Sequence, residues 1–162
     1  MRTLISINAL CFLTLTAGAA DFGVGLSAYQ KGDYTTAANE WRPLADHGDS
    51  RAQFNLGLLY VDGLGVPQDY TQAVNWFERS AAQDYVKAQL NLGAMYGGGK
   101  GVKRDYVQAY KWLNICAAKG DAKCVAQRDL VAEKLKPKQL AAAQHLASEF
   151  KPRQEPGKEP EK

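Results

Sequence analysis

Few side chains in this sequence have the chemistry of a catalyst or a ligand, and their spacing decides what each can do. The two histidines, His47 and His145, lie far apart, and neither belongs to a metal-binding pair such as His-Glu-x-x-His. Both read as solvated surface residues. Gly97-Gly98-Gly99-Lys100-Gly101 has the composition of a phosphate-binding loop, but it lacks the required spacing and follows a helical pattern where a strand is needed. It reads instead as a flexible connector. Ser148-x-x-Lys151 has the spacing at which serine acyl-transfer enzymes set a nucleophile beside a lysine. Its companion motifs Ser-Asp-Asn and Lys-Thr-Gly are missing, and it stands where a last helix meets a polar tail, so no pocket would enclose it. That leaves thiol chemistry: Cys11, Cys116 and Cys124, whose meaning depends on the compartment.

Composition bounds the possibilities further. A chain of 162 residues, 46% apolar and 23% charged, is one globular domain in size. Its net charge of +3 is spread among acidic residues, without a Lys/Arg stripe interleaved with aromatics. A dedicated nucleic-acid binder is therefore not expected. The first twenty residues carry Arg2, an apolar run over 4–15, then Ala17-Gly18-Ala19-Ala20, which predicts a signal peptide over 1–20 cut after Ala19 or Ala20. Ser6 and Asn8 interrupt a run already too short to span a bilayer, so no membrane insertion is expected after cleavage. Cys11 lies inside that run rather than at the start of the mature chain, which argues against a lipid anchor. A periplasmic or secreted protein beginning near Asp21 is the expectation.

The elements that position these residues come from a repeat. Residues 52–88 are said again from Ala88, every equivalent pair lying 36 positions apart. Asn55-Leu56-Gly57 returns as Asn91-Leu92-Gly93, Tyr60 as Tyr96, Gly63-x-Gly65-Val66 as Gly99-x-Gly101-Val102, and Trp76 as Trp112. Self-similarity at such a period marks stacked units, each hiding its apolar face only against its neighbours.

Along the chain, periodicity predicts helices over about 22–31, with Phe22, Leu26 and Tyr29 on one side, and 34–46, where Pro43 should bend or shorten the last turn. Asp33 is placed to cap the latter. The first helices of the full units run about 50–61 and 86–96. Gly57 and Gly93 each cost about 1 kcal/mol of helix stability relative to alanine, so their recurrence implies close approach by a partner helix. Second helices follow over about 70–83 and 106–119, with Asp69 and Gln72, or Asp105 and Gln108, in a variant capping box. A fourth unit begins at Asp121 and decays to polar residues, as the end of a stack requires. Pro137 opens a last helix over about 137–150, burying Leu140, Ala143, Leu146 and Phe150. From Lys151 the sequence is rich in Pro, Glu and Lys, which predicts a disordered tail over 151–162.

The run Ala52-x3-Leu56-Gly57-x2-Tyr60-x2-Gly63-x-Gly65-Val66-x2-Asp69-x3-Ala73-x2-Trp76-x4-Ala81-Ala82 resembles the SEL-one-like repeat (SLR), a relative of the tetratricopeptide repeat. The opening unit is closer to the tetratricopeptide form, with Gly25, Gly32, Tyr34 and Ala37 at its spacing. The resemblance implies an all-α fold, a right-handed α/α solenoid of antiparallel helix pairs. Its repeats would fall at about 21–51, 52–87 and 88–123, with a cap over 124–150. Some secreted bacterial members of the family carry two cysteines separated by seven residues in each repeat, joined across neighbouring helices. Cys116 and Cys124 have that spacing, and the Lys119-Gly120-Asp121 turn lets them approach, so the resemblance implies a disulfide; buried thiols or metal ligands are the alternatives.

Functionally, the resemblance implies a non-enzymatic protein-interaction scaffold with a concave groove, needing no cofactor or metal. The first-helix side chains that would line it are Arg51, Phe54, Asn55, Leu58 and Asp62, then Lys87, Leu90, Asn91 and Ala94. The paired asparagines could grip an extended peptide or a terminal carboxylate, or could recur only because the repeat does. Phe54, if exposed there, would mark a contact site. The runner-up is a cell-wall-related activity, binding or weak β-lactamase-like turnover, because cysteine-rich family members have been linked to it. A homodimer that lengthens so short a stack is a third expectation.

Overall fold

A computed structural model describes residues 20–155. The expected signal peptide, apart from Ala20, and the tail beyond Glu155 lie outside the described residues. Among those described, there are eight helices and no strand: α1 (Phe22–Gln30), α2 (Tyr34–Asp46), α3 (Ser50–Asp62), α4 (Tyr70–Ala82), α5 (Val86–Gly98), α6 (Tyr106–Ala117), α7 (Ala122–Ala132) and α8 (Pro137–Ser148). Each of the first six packs on the next, while α8 turns back onto α6. The architecture is an α/α solenoid built from the hairpins α1–α2, α3–α4 and α5–α6.

Aspartates start most of these helices. Asp21, Asp33, Asp49, Asp69, Asp105 and Asp121 each accept from backbone N–H groups in the first turn, satisfying donors that have no intrahelical partner. Only the aspartate half of the expected capping boxes forms: Gln72 and Gln108 take part through their backbone N–H. α2 reaches Asp46 as expected, running through Pro43, because the lost donor lies in the last turn, where little of the ladder remains to be broken. One local expectation fails. Leu26 is 40% exposed, and the buried side of α1 is Gly25 and Ala28, since the facing Trp41 ring claims the space beside Gly25.

The hairpins close by setting a glycine on the first helix against a large apolar residue on the second. A Cβ on Gly57 would lie 2.5 Å from Phe77 Cε1, and one on Gly93 would lie 2.6 Å from Leu113 Cγ. Gly25 meets Trp41 in the same way. A second set of glycines joins one hairpin to the next. Gly65 and Gly101, both at left-handed φ near 70°, press against the backbone of Tyr34 and of Tyr70, leaving no room for a side chain. The tyrosines that follow each Leu-Gly reinforce this joint. Tyr60 Oη accepts from Arg42, whereas Tyr96 Oη donates to Glu78 Oε1 at 2.7 Å. Burial, helped by that carboxylate, pushes the Tyr96 hydroxyl up to about 12.

At the far end Cys116 and Cys124 are joined as a disulfide, Cα to Cα 5.8 Å, pinning α7 to α6. Cys124 takes the fully buried slot that Ala52 and Ala88 occupy in the preceding units. On α8, which ends at Ser148 rather than near 150, only Ala143 is buried, with Leu140 and Leu146 half-buried; Phe150, just beyond it and half-buried, meets the Trp112 ring edge-on at 5.6 Å. Beyond α8 the expectation of disorder from Lys151 fails for the first five residues. They run extended across the ends of the hairpins, where Arg153 N donates to Ala82 O at 2.9 Å and the Glu155 carboxylate meets Arg79. That segment has a polar partner its composition did not disclose.

Two stability outcomes follow. Gly93→Ala should lower the unfolding free energy by about 1–2 kcal/mol in urea titration, because overpacking against Leu113 exceeds the gain in helix propensity. A more stable variant would show that the helices have room to part. Reducing the disulfide, or Cys116→Ser with Cys124→Ser, should cost about 2–3 kcal/mol by loosening a closed loop. An unchanged midpoint would mean that α7 is held by packing alone.

Candidate functional site

Among the first helices, α5 packs on α7, and Arg51 of α3 reaches over the Phe22 ring of α1. Arg51, Asn55, Leu58 and Asp62 follow one another at helical spacing on α3, and Lys87, Leu90, Asn91 and Ala94 do so on α5. Arg51, Asp62, Lys87 and Ala94 are exposed, and Asn55, Leu58, Leu90 and Asn91 are half-buried. Arg51 is held in place twice over. Its guanidinium pairs with Asp49, Nη2 to Oδ2 at 2.8 Å, and its centre sits 4.5 Å from the centroid of the Phe22 ring on α1.

Phe54 does not belong to this surface. It is 7% exposed, with its ring 5.9 Å from Phe77 and 5.3 Å from Tyr85. The reason is geometric: its direction on α3 points at the start of the next unit, so the residue fills the seam between hairpins. Leu90, one repeat later, packs in the matching seam against the group that includes Leu113 and Cys124. The two asparagines also part company. Asn91 Nδ2 donates to the Lys87 carbonyl of its own helix at 2.8 Å, while no side-chain hydrogen bond to Asn55 is present among the described residues. Asn55 thus keeps its carboxamide available, and Asn91 must give up a local bond to offer its own.

The residues weighed for catalysis are not assembled. Ser148 Oγ donates to His145 O at 2.7 Å, and both Ser148 and Lys151 are exposed at the end of α8. His47 Nδ1 lies 2.6 Å from Pro43 O, and His145 faces Glu149 at 3.5 Å on the surface of α8. Among the described residues no three His, Cys, Asp or Glu side chains gather closely enough to hold a metal ion.

A polar cluster that sequence reading passed over lies at the N-terminal end of α3. Gln53 is fully buried, its Nε2 donating to Ala45 O at 3.0 Å and to Glu155 Oε2 at 2.9 Å, its Oε1 accepting from Gln83 Nε2 at 2.8 Å. Arg79 donates to the same carboxylate through Nε and Nη2, the shortest contact being 2.6 Å, and its guanidinium sits 4.7 Å from the Trp76 ring centroid. The detectable signal was the recurrence of a buried-position glutamine, Gln53 and Gln89, at the repeat spacing. Arg79, aided by Gln53, holds the Glu155 carboxyl below its ordinary 4.5. Because that value is depressed on folding, the attachment it supports is complete above 4.5 and is lost as pH falls through the lower, folded midpoint. Gln53 carboxamide resonances followed by NMR during acidification should therefore shift with a midpoint below 4.5. A midpoint at or above it would show that Arg79 and Asp46, the charged groups at this site, leave Glu155 unpaired in solution.

Comparison with known proteins places this geometry in a family. The Sel1 repeat profile matches residues 50–85 and 86–121, the two full units. No curated protein matches the chain. Among solved structures, the chain is similar to a protective antigen of uropathogenic Escherichia coli with an SLR fold, at 32% identity and a TM-score of 0.76. That match covers 79% of this chain and 28% of the antigen's, so the chain spans under a third of that protein. It is similar as well to a Sel1 repeat protein from Oxalobacter formigenes, at 34% identity and a TM-score of 0.61, over 67% of this chain and 84% of the other. Sel1 repeat proteins generally mediate protein–protein interaction and are typically non-enzymatic scaffolds. The matched glycines, the aspartate-capped hairpins and the solenoid they build lead to one assignment: this chain belongs to the Sel1 repeat (SLR) family.

Proposed function

We propose that the chain is a non-enzymatic interaction scaffold of the periplasm or the secreted fraction, which binds a peptide or protein partner along the exposed side of its first helices. One observation carries this reading. Stacking consumes the apolar faces of α3 and α5 yet leaves Arg51, Asp62 and Lys87 exposed and Asn55 and Asn91 half-buried, with both charge signs and hydrogen-bonding amides. A row of that composition suits an extended backbone with mixed side chains. With Phe54 withdrawn into the seam, the apolar share of the surface falls to Leu58 and Ala94, so recognition there is chiefly polar. Export is supported by the N-terminal sequence pattern and by the Cys116–Cys124 bond, which persists where the surroundings are oxidising.

A photo-crosslinking residue placed at Asn55, Asp62 or Lys87 in cells should trap a discrete partner band, whereas the same residue at exposed Asn75 on α4 should trap little. Equal yields from both faces, or trapping from Asn75 alone, would remove the first helices as the binding surface.

A further inference from the structure

The turns that lead into the two full repeats differ at one position, and the difference bears on a polar slot apart from the exposed first-helix residues. Gly48 and Asp84 stand at equivalent positions of the turns α2–α3 and α4–α5, both in left-handed backbone, with φ of 94° and 72°. In the later turn Asp84 supplies a carboxylate of its own. Its Oδ1 accepts from Gln89 Nε2 at 3.0 Å, and its Oδ2 pairs with Lys119 Nζ. Gln89 is the repeat equivalent of Gln53, and each donates to the carbonyl eight positions back, Ala81 or Ala45. In the earlier turn Gly48 has no side chain to offer, and the carboxylate arrives from elsewhere: Glu155 accepts from Gln53 and from Arg79.

The earlier slot is built to receive such a group. Arg79 is positioned without help from the tail, because Nη2 also donates to Ala45 O at 3.0 Å and the guanidinium lies on Trp76. Gln83 fixes Gln53 and also donates to Gly48 O at 2.9 Å. A planar guanidinium held in this way presents paired donors to a carboxylate at little entropic cost. Close approach requires the glycine: a Cβ on Gly48 would lie 3.0 Å from Glu155 Cβ. Two residues upstream, Arg153 N uses Ala82 O, a carbonyl at the end of α4 that the helix itself leaves without a partner. What this arrangement recognises is thus an extended backbone with a carboxylate side chain two residues after a backbone donor. The segment 151–155 is held there without secondary structure of its own.

We propose that Gly48, Gln53 and Arg79 form a recognition site for an extended peptide segment bearing one glutamate carboxylate, occupied in this structure by the chain's own residues 151–155 and exchangeable for a matching segment of another protein. The tether gives the resident segment a high effective concentration, so an incoming segment competes best when the tail is weakened. This goes beyond the first-helix reading and depends on none of the residues named for it.

The test uses the full chain and a fluorescent, end-blocked peptide of sequence Lys-Pro-Arg-Gln-Glu, read by anisotropy. The Glu155→Ala chain should bind it saturably, and the intact chain at least about tenfold more weakly because the tether competes. Adding Arg79→Ala, or replacing the peptide's glutamate with glutamine, should abolish saturation. Gly48→Asp in the Glu155→Ala background gives an independent check if Arg79→Ala disturbs folding. By supplying an internal carboxylate, as Asp84 does, it should block the peptide while the far-ultraviolet circular dichroism stays unchanged. No saturation with the Glu155→Ala chain up to millimolar concentration, or binding indifferent to Arg79 and Gly48, would overturn the proposal.

Discussion

The distance between the two helices of a hairpin is the constraint from which the rest of this molecule follows. In each hairpin it is set by a glycine facing a large apolar side chain: Gly25 and Trp41, Gly57 and Phe77, Gly93 and Leu113. The opposing group shrinks from indole to phenyl to isobutyl along the stack, while the glycine is kept. Removing the Cβ lets the ring lie against the backbone itself, and the resulting burial outweighs the helix stability that each glycine gives up. A second pair, Gly65 and Gly101, sets the step from one hairpin to the next by seating the connector on the backbone of Tyr34 and of Tyr70. Two spacings, both fixed by glycine, therefore generate the solenoid.

Those spacings also sort side chains between core and surface. On α3 Gly57 faces Phe77 of α4, Leu56 lies in the core shared with Trp41 and Ala45 of α2, Phe54 meets Tyr85 at the start of the next unit, and what remains is the row from Arg51 to Asp62. The stack consumes apolar surface in two directions and leaves a third, ordered by the repeat, facing outward. At its two ends the pattern is closed differently. The disulfide fixes α7 at one end, and α8 doubles back on α6 to send residues 151–155 past the end of α4 toward the α2–α3 turn.

Much of this was legible in the residues because the period is strict. Helix boundaries, aspartate caps, connector glycines and the buried slot of Cys124 all follow from superposing one unit on another. What failed were relations that no repeat encodes. Phe54 was expected in the groove because a position on a helix wheel does not say how steeply the next hairpin leans over it. The tail was expected to be disordered because composition records only the lack of apolar residues, whereas its attachment rests on Arg79 and Gln53, which are distant in sequence. The exchange of Gly48 for Asp84 was visible in the sequence, but it acquires meaning only once Glu155 is seen in the vacant place.

Native-state hydrogen exchange reaches the central claim most directly, that no hairpin here shields its apolar side without its neighbours. If the claim holds, slowly exchanging amides of α3, α4, α5 and α6 will share one opening free energy and respond together to added denaturant. If α5–α6 keeps its protection at denaturant concentrations that have already opened α3–α4, the hairpins are separate folding units, and the mutual shielding argued from Gly65 and Gly101 is wrong.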